Sequence, residues 1–250
     1  MKNVLPGRPP LLFFIHIPKT AGSSIHQILH RAYGARLGIY YDRSPAEWEM
    51  TLARPDHGLD CVFGHYWFGL HAHSARPYEY ATMMRHPVEA ILSYYFYIAR
   101  QPSHWLHPYA LQLSMKDFFQ LPGGILDPFF RNYQSVYLLG RAPASWEATL
   151  RIINGHYPII GVSELYHESV YLLKDRYGWA SAEVFRVNAT PNRPTLDQID
   201  PEVIRLITGL VGHDLQLYRF IRKRLEKTIE RLPRWKMKQL ERFKKEDRLD

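Results

Sequence analysis

Short apolar runs alternate with longer amphipathic segments along most of the chain. The runs are continuous and are bounded by proline, glycine or charged residues, which is typical of strands buried inside a sheet. Strands are predicted at 11–17, 60–65, 78–85, 157–164 and 182–188. The segments between most of them carry apolar residues three and four positions apart, which indicates helices that pack on the sheet. This alternation predicts an α/β fold with a mostly parallel central sheet flanked by helices.

The helices are predicted from the same spacing and from residues that favour helix ends. Ser23 or Ser24 is expected to cap the first helix, because a serine hydroxyl accepts a hydrogen bond from the first helical turn. Pro87 suits the first turn of a second helix. Further helices are predicted at 127–139, 145–153, 164–177 and 201–230. Proline, glycine and asparagine predict loops at 121–128 and 190–195.

The positive charge of the chain is concentrated at its C-terminus. The 250 residues have a formal charge of +8, and 13 Lys and Arg against 6 Asp and Glu lie in 219–250. We therefore divide the chain into a domain at 1–220 and a basic helical tail at 221–250. Peripheral contact of this tail with a membrane surface is an open alternative. We expect no nucleic-acid partner. No apolar run reaches the ~18 residues of a membrane span, so we expect a cytoplasmic protein.

Metal and disulfide chemistry are not expected. The single cysteine, Cys61, excludes an intramolecular disulfide and a zinc site built from several cysteines. Its apolar surroundings indicate a buried side chain. His65, His71 and His73 could ligate a metal as neutral imidazoles, but no cysteine or acidic residue lies between them in the sequence.

The segment "PKTAGSS" at 18–24 follows the first predicted strand and has the composition of a phosphate-binding loop. Gly22 allows a phosphate to approach the backbone closely, and the first helical turn offers unpaired N–H groups. Lys19 adds a mobile positive charge. The order differs from the Walker loop, because Lys19 precedes the single glycine. An ordinary turn between a strand and a helix is the alternative.

The strand predicted at 78–85 ends in "MMRHP", with arginine and histidine where a magnesium-dependent kinase would place an acidic residue. This indicates a ligand whose phosphate is held by protein cations. Taken together, "IPKTAGSS" and "RHPVEAILSYY" resemble the two signatures of sulfotransferases that use 3′-phosphoadenosine 5′-phosphosulfate (PAPS). More narrowly, the chain resembles the carbohydrate branch that includes heparan sulfate 2-O-sulfotransferase. "FGHYWFG", "FFRNYQSVYLLG", "IIGVSEL" and "VNATPNRP" extend the resemblance over most of 11–220.

The resemblance implies a P-loop-like sulfotransferase fold, with PAPS as donor, adenosine 3′,5′-bisphosphate as product and no metal. It assigns the 5′-phosphosulfate end of the donor to Lys19, Thr20, Ala21, Gly22, Ser23 and Ser24. Lys19 would also stabilise charge on the leaving phosphate. Arg85 and Ser93 would bind the 3′-phosphate, where a guanidinium and a hydroxyl suit a terminal phosphate. Thr190, Asn192 and Arg193 would fold over the nucleotide, although Pro and Asn are also common in ligand-free surface turns.

His65 is the candidate catalytic base. A sugar hydroxyl is a poor nucleophile, and a histidine with a pKa of ~6.5 can accept its proton. His65 follows an apolar strand, and it also matches the catalytic histidine of the family. Two positions depart from the family pattern: Phe63 replaces a histidine, and His86 replaces the acidic residue after the 3′-phosphate arginine.

The acceptor is implied by the resemblance to be a hydroxyl of a carbohydrate or glycolipid. Several aromatic side chains are candidates for stacking on a sugar ring, and a place in the core is the alternative for each of them. They are Trp67, Phe68, Tyr94, Tyr95, Tyr97, His104 and Trp105. Two alternatives to a sulfotransferase are open. One is a small-molecule kinase that uses ATP and magnesium, and the other is a non-catalytic module that binds nucleotides or glycans.

Overall fold

The computed structural model describes residues 9–180 and 194–246. Its centre is a sheet of five strands, which are β1 (Leu11–Ile15), β2 (Leu37–Ile39), β3 (Cys61–Gly64), β4 (Tyr78–Met84) and β5 (Ile159–Val162). Every pair of neighbours in the sheet is parallel, and the strand order is β2-β3-β1-β4-β5. The predicted α/β fold with a parallel sheet is confirmed. The strand predicted at 182–188 lies outside the described residues.

The helices of the described chain cover both faces of this sheet. They are α1 (Gly22–Tyr33), α2 (Pro45–Ala53), α3 (Pro87–Ile98), α4 (His107–Gln112), α5 (Met115–Phe118), α6 (Gly123–Phe130), α7 (Tyr133–Leu139), α8 (Trp146–His156), α9 (Tyr166–Tyr177), α10 (Pro201–Leu210), α11 (Gly212–Glu230) and α12 (Arg234–Glu246). Short 3₁₀ turns occur in several of the connections between these elements.

The side chains of the central strand β1 show that both faces of the sheet are buried. Leu11, Phe13 and Ile15 pack into one apolar cluster, while Leu12 and Phe14 pack into a second cluster on the opposite face. Successive side chains of a strand point to opposite faces, so a continuous apolar run is required where helices cover both. Cys61 is buried among the second cluster as predicted, and burial raises the pKa of its thiol.

Three predictions of local structure are wrong. The loop predicted at 121–128 mostly belongs to helix α6, which includes both glycines and Pro128. The helix predicted at 127–139 is two helices, because Asn132 has a left-handed φ of 47° and ends the run between α6 and α7. The helix predicted at 201–230 is likewise divided at Val211 into α10 and α11.

The C-terminal segment is attached to the domain through its last described helix. Helix α11 continues across the boundary between residues 220 and 221, where the tail was predicted to begin. Leu240 of α12 is fully buried, and Lys236 and Lys244 pair with Asp175 at 2.6 Å and Glu168 at 2.7 Å on α9. Within 9–180 and 194–246, no helix is both long and apolar enough to span a bilayer.

Candidate active site

Three predicted site segments follow strands that are neighbours in the sheet. The loop at 18–24 follows β1, His65 follows β3, and Arg85 follows β4. Ile15 pairs with Gly64 on one side and with Thr82 on the other, so the three strands end at the same edge. In open α/β sheets, ligands bind beyond the carboxyl ends of the strands. The fold therefore brings these segments together although they are far apart in sequence.

The loop after β1 has an unusual backbone. Lys19 and Ala21 have φ values of 67° and 71°, in the left-handed region that non-glycine residues rarely adopt. The Thr20 hydroxyl donates to the Ile17 carbonyl at 2.8 Å, and Thr20 is 1% exposed. Thr20 thus stabilises the turn through its side chain. Strained backbone of this kind is concentrated at ligand-binding sites, because the ligand contacts depend on it.

The start of α1 differs from the predicted cap. Helix α1 begins at Gly22, and Ala21 occupies the cap position without a side-chain hydrogen bond. Ser23 and Ser24 therefore lie inside the first turn, and their prediction as capping residues is wrong. Ser23 is exposed and Ser24 is buried. The first-turn N–H groups and the positive end of the helix dipole face the loop, which suits an anion.

His16 is a component of the site that the sequence did not indicate. A Cβ added to Gly22 would lie 1.6 Å from Nε2 of His16, so the imidazole occupies the space next to this glycine. Nδ1 of His16 lies 3.0 Å from the Tyr41 hydroxyl. Burial, followed by the positive charge of neighbouring groups, lowers the pKa of His16 to about 3. His16 is therefore neutral at physiological pH.

His65 stacks on His16, with 4.2 Å between the ring centroids. Its Nδ1 lies 2.5 Å from the His16 carbonyl oxygen. A carbonyl only accepts hydrogen bonds, so Nδ1 carries the proton and neutral His65 has a free lone pair on Nε2. Desolvation lowers the pKa of His65, and the bond to the carbonyl opposes the shift. The ring is thus in its basic form at neutral pH, as a general base requires.

Helix α3 connects Arg85 and Lys19, the two cationic residues predicted to bind the donor phosphates. Arg85 pairs with Glu89 at 3.2 Å, and Lys19 Nζ lies 4.7 Å from the ring centre of Tyr97. Glu89, Ser93 and Tyr97 are four residues apart and share one face of the helix. Ser93 therefore lies between the two cations, which are connected by a helix face of about 12 Å from Glu89 to Tyr97.

The two residues that depart from the pattern of the resembled family, Phe63 and His86, both pack against other rings. Phe63 is 2% exposed, and its ring stacks between His16 at 5.1 Å and His26 at 5.2 Å. The His86 ring packs against Tyr218 at 5.3 Å. Burial is the main cause of the lowered pKa of His86. Glu89, one turn further along α3, supplies the carboxylate that pairs with Arg85.

A groove of about 390 Å³ opens beside His65. Its walls are formed by Tyr40, His65, Tyr66, Trp67, Phe68, Gly69, Leu70, His73, Tyr137 and Gly140. Trp67 and Phe68 are therefore in the groove. Tyr94 instead packs against Phe130 and Tyr133, and Trp105 packs against Phe129.

The remaining predicted contacts of the nucleotide fall outside the described residues. They are Thr190, Asn192 and Arg193. Within the described chain, no three His, Cys, Asp or Glu side chains are grouped so that they could hold a metal ion. His71 lies 3.0 Å from the Tyr80 hydroxyl, and His73 lies 3.6 Å from Glu49.

Comparison with known proteins gives matches among solved structures. No family model matches the chain, and no curated protein sequence matches it. Among solved structures, the chain is similar to mouse sulfotransferase SULT7A1 complexed with PAP. The alignment covers 90% of each chain at 12% sequence identity, with a TM-score of 0.47.

Proposed function

We propose that this protein is a PAPS-dependent sulfotransferase that transfers the sulfuryl group to a hydroxyl of an acceptor. The observation that carries the proposal is the meeting of three strand ends. Lys19, His65 and Arg85 follow three adjacent parallel strands and converge at one sheet edge. Together they provide a cation for a phosphosulfate, a base for a hydroxyl and a second cation for another phosphate.

The donor would lie along the face of α3 that carries Glu89, Ser93 and Tyr97. Residues 19–24 would hold the 5′-phosphosulfate through the first N–H groups of α1 and the charge of Lys19. Arg85 and Ser93 would bind the 3′-phosphate. The 3′-phosphate would compete with Glu89 for the Arg85 guanidinium, and a doubly charged phosphate is the stronger partner. Thr190, Asn192 and Arg193 complete the proposed donor site.

Sulfuryl transfer would proceed by in-line displacement. Nε2 of His65 accepts the proton of the acceptor hydroxyl while the oxygen forms a bond to sulfur. The bond between sulfur and the bridging phosphate oxygen breaks, and the electron pair remains on adenosine 3′,5′-bisphosphate. Lys19 stabilises this developing charge, which is greater in the transition state than in the bound donor.

The acceptor is proposed to be a carbohydrate or glycolipid that enters the groove beside His65. Trp67 is 61% exposed and offers an aromatic face at the groove wall. Sugar rings and aromatic faces pack well because both present flat apolar surfaces. The groove volume lies in the range of small-molecule sites.

A peripheral membrane contact of the basic tail belongs to the same proposal. Trp235 is 57% exposed at the start of α12, and Lys236 Nζ lies 5.3 Å from its ring centre. Basic residues beside an exposed tryptophan suit an anionic lipid surface. Co-sedimentation with vesicles that contain phosphatidylserine, and its loss in Trp235→Ala, tests this contact.

Transfer of labelled sulfate from PAPS to a panel of glycosides and glycolipids tests the activity. We expect Lys19→Met to reduce transfer about 100-fold or more, since it removes a stabilising charge from the transition state. Lys116→Met is the matched control, because Lys116 pairs with Glu202 at 2.8 Å on α10 and lies outside the site. This control should transfer sulfate at the natural rate.

Three outcomes would contradict the proposal. Tight binding of adenosine 3′,5′-bisphosphate with no transfer to any acceptor would identify a binding module. Magnesium-dependent phosphate transfer from ATP, with no response to PAPS, would identify a kinase. Equal loss of activity in Lys19→Met and Lys116→Met would show that the position of Lys19 in the loop is irrelevant.

A further inference from the structure

The backbone of Arg85 is held by a single buried side chain. The Arg85 N–H donates to Oε1 of Gln134 at 3.1 Å, and Nε2 of Gln134 donates to the Arg85 carbonyl at 2.9 Å. Arg85 lies just past the last residue of β4, where sheet hydrogen bonds no longer fix the chain. Gln134 is fully buried. Two hydrogen bonds to both polar groups of one residue therefore fix the backbone from which the guanidinium extends.

Gln134 is held in turn by a carboxylate from another helix. Its N–H donates to Oδ2 of Asp214 at 3.2 Å. The Ser135 N–H and hydroxyl donate to Oδ1 of Asp214 at 2.7 Å and 2.5 Å. Asp214 is fully buried on α11, and all these bonds are therefore shielded from water. The start of α7 is thus anchored to α11, and Gln134 cannot shift without breaking the anchor.

We propose that Gln134 is a positioning residue that aims Arg85 at the 3′-phosphate of the donor. This role rests on the proposed function, in which Arg85 selects a nucleotide with that phosphate. A long side chain such as arginine aims its charge well only if its backbone is fixed. The guanidinium end of the Arg85 side chain pairs with Glu89, and Gln134 fixes the backbone of the same residue.

The proposed role differs from ordinary stabilisation in what it changes. A structural defect in α7 lowers the amount of folded protein and affects all ligands alike. A misdirected Arg85 weakens only ligands that carry the 3′-phosphate. The ratio of affinities for adenosine 3′,5′-bisphosphate and AMP therefore separates the two effects, because the 5′-phosphate contacts at 19–24 are common to both ligands.

Calorimetric titration of both nucleotides into the full chain tests the inference. Gln134→Met keeps the length of the side chain but forms neither bond to Arg85. We expect its affinity for adenosine 3′,5′-bisphosphate to fall about tenfold while its affinity for AMP stays within about twofold. Gln134→Asn, whose amide is one methylene too short, should show the same change and serves if Gln134→Met does not fold.

Leu138→Ala is the matched control. Leu138 is fully buried on the same helix, and its shortening should destabilise α7. Its apolar side chain cannot form hydrogen bonds of the kind that Gln134 makes to the Arg85 backbone. Its affinity ratio should equal that of the natural protein. An unchanged ratio in a folded Gln134 variant, or an equal change in Leu138→Ala, would overturn the role of Gln134. Equal affinity of the natural protein for both nucleotides would overturn the proposed donor, and the role of Gln134 with it.

Discussion

Alanine at Gly22 tests the packing of the phosphate loop. The added Cβ would lie 1.6, 2.0 and 2.3 Å from three atoms of the His16 ring. No backbone strain is involved, because Gly22 is not among the residues with positive φ. In a helix, alanine is otherwise favoured over glycine by about 1 kcal/mol. The substitution therefore combines a favourable backbone effect with an unfavourable contact.

The free-energy cost of this contact has two parts, the overpacking against the His16 ring and the loss of its hydrogen bond to Tyr41. Overpacking costs about 1–3 kcal/mol, and the lost hydrogen bond to Tyr41 costs about 1 kcal/mol more. Subtracting the helical gain leaves a net destabilisation of about 1–3 kcal/mol in the natural protein. In a His16→Ala background the ring is gone, and Gly22→Ala should stabilise by about 1 kcal/mol. The effect of Gly22→Ala on the free energy of unfolding is thus expected to change sign when His16 is removed.

Urea denaturation of the four proteins in this double-mutant cycle measures the coupling. We expect about 2 kcal/mol or more, with Gly22→Ala destabilising only when His16 is present. Equal stabilisation by Gly22→Ala in both backgrounds would refute the placement of His16 over the loop.

Two further predictions follow from ionisable groups. His65→Asn should lower sulfate transfer by a factor of about 10²–10⁴ without changing the affinity for adenosine 3′,5′-bisphosphate. In the natural protein, kcat/KM should fall as the pH drops below the lowered pKa of His65. A pH profile that stays flat in acid would contradict the role of His65 as the base. Burial raises the pKa of Asp214 to about 6, so the folded state binds more protons than the unfolded state between about pH 4 and 6, and stability should fall as pH rises through this window. Asp214→Asn should remove this dependence of stability on pH. It should also destabilise the fold by about 1–3 kcal/mol, because the NH₂ group of the new amide would face the Gln134 N–H and two donors cannot bond. Urea denaturation at pH 4, 5, 6 and 7 checks both effects.

The placement of Lys19, His65 and Arg85 at one sheet edge could be predicted because each follows an apolar run. In a parallel sheet, strand ends meet at a common edge whatever the loops between them do. The three-residue strand β2 was missed because so short a segment carries no readable alternation.

The contacts that complete the site could not be predicted, because they depend on three-dimensional packing. His16 lies within an apolar run, and only the structure places its ring over Gly22. Gln134 meets Arg85 across 49 sequence positions, and no spacing rule connects them. Asn132 adopts a left-handed conformation in which its side chain accepts hydrogen bonds from the start of α11. Such a residue reads as an ordinary helix position in the sequence.

Selection of a nucleotide with two phosphate groups is the central claim, and one set of affinities tests it most directly. Adenosine 3′,5′-bisphosphate and AMP are titrated into the natural protein and into Arg85→Gln. Hydrogen bonds to a charged group contribute about 1.5–3 kcal/mol, so the natural protein should prefer the bisphosphate by about 10- to 150-fold. Arg85→Gln should lose most of this preference while it binds AMP as before. Equal affinity of the natural protein for both nucleotides, or a preference that survives in Arg85→Gln, would contradict the account.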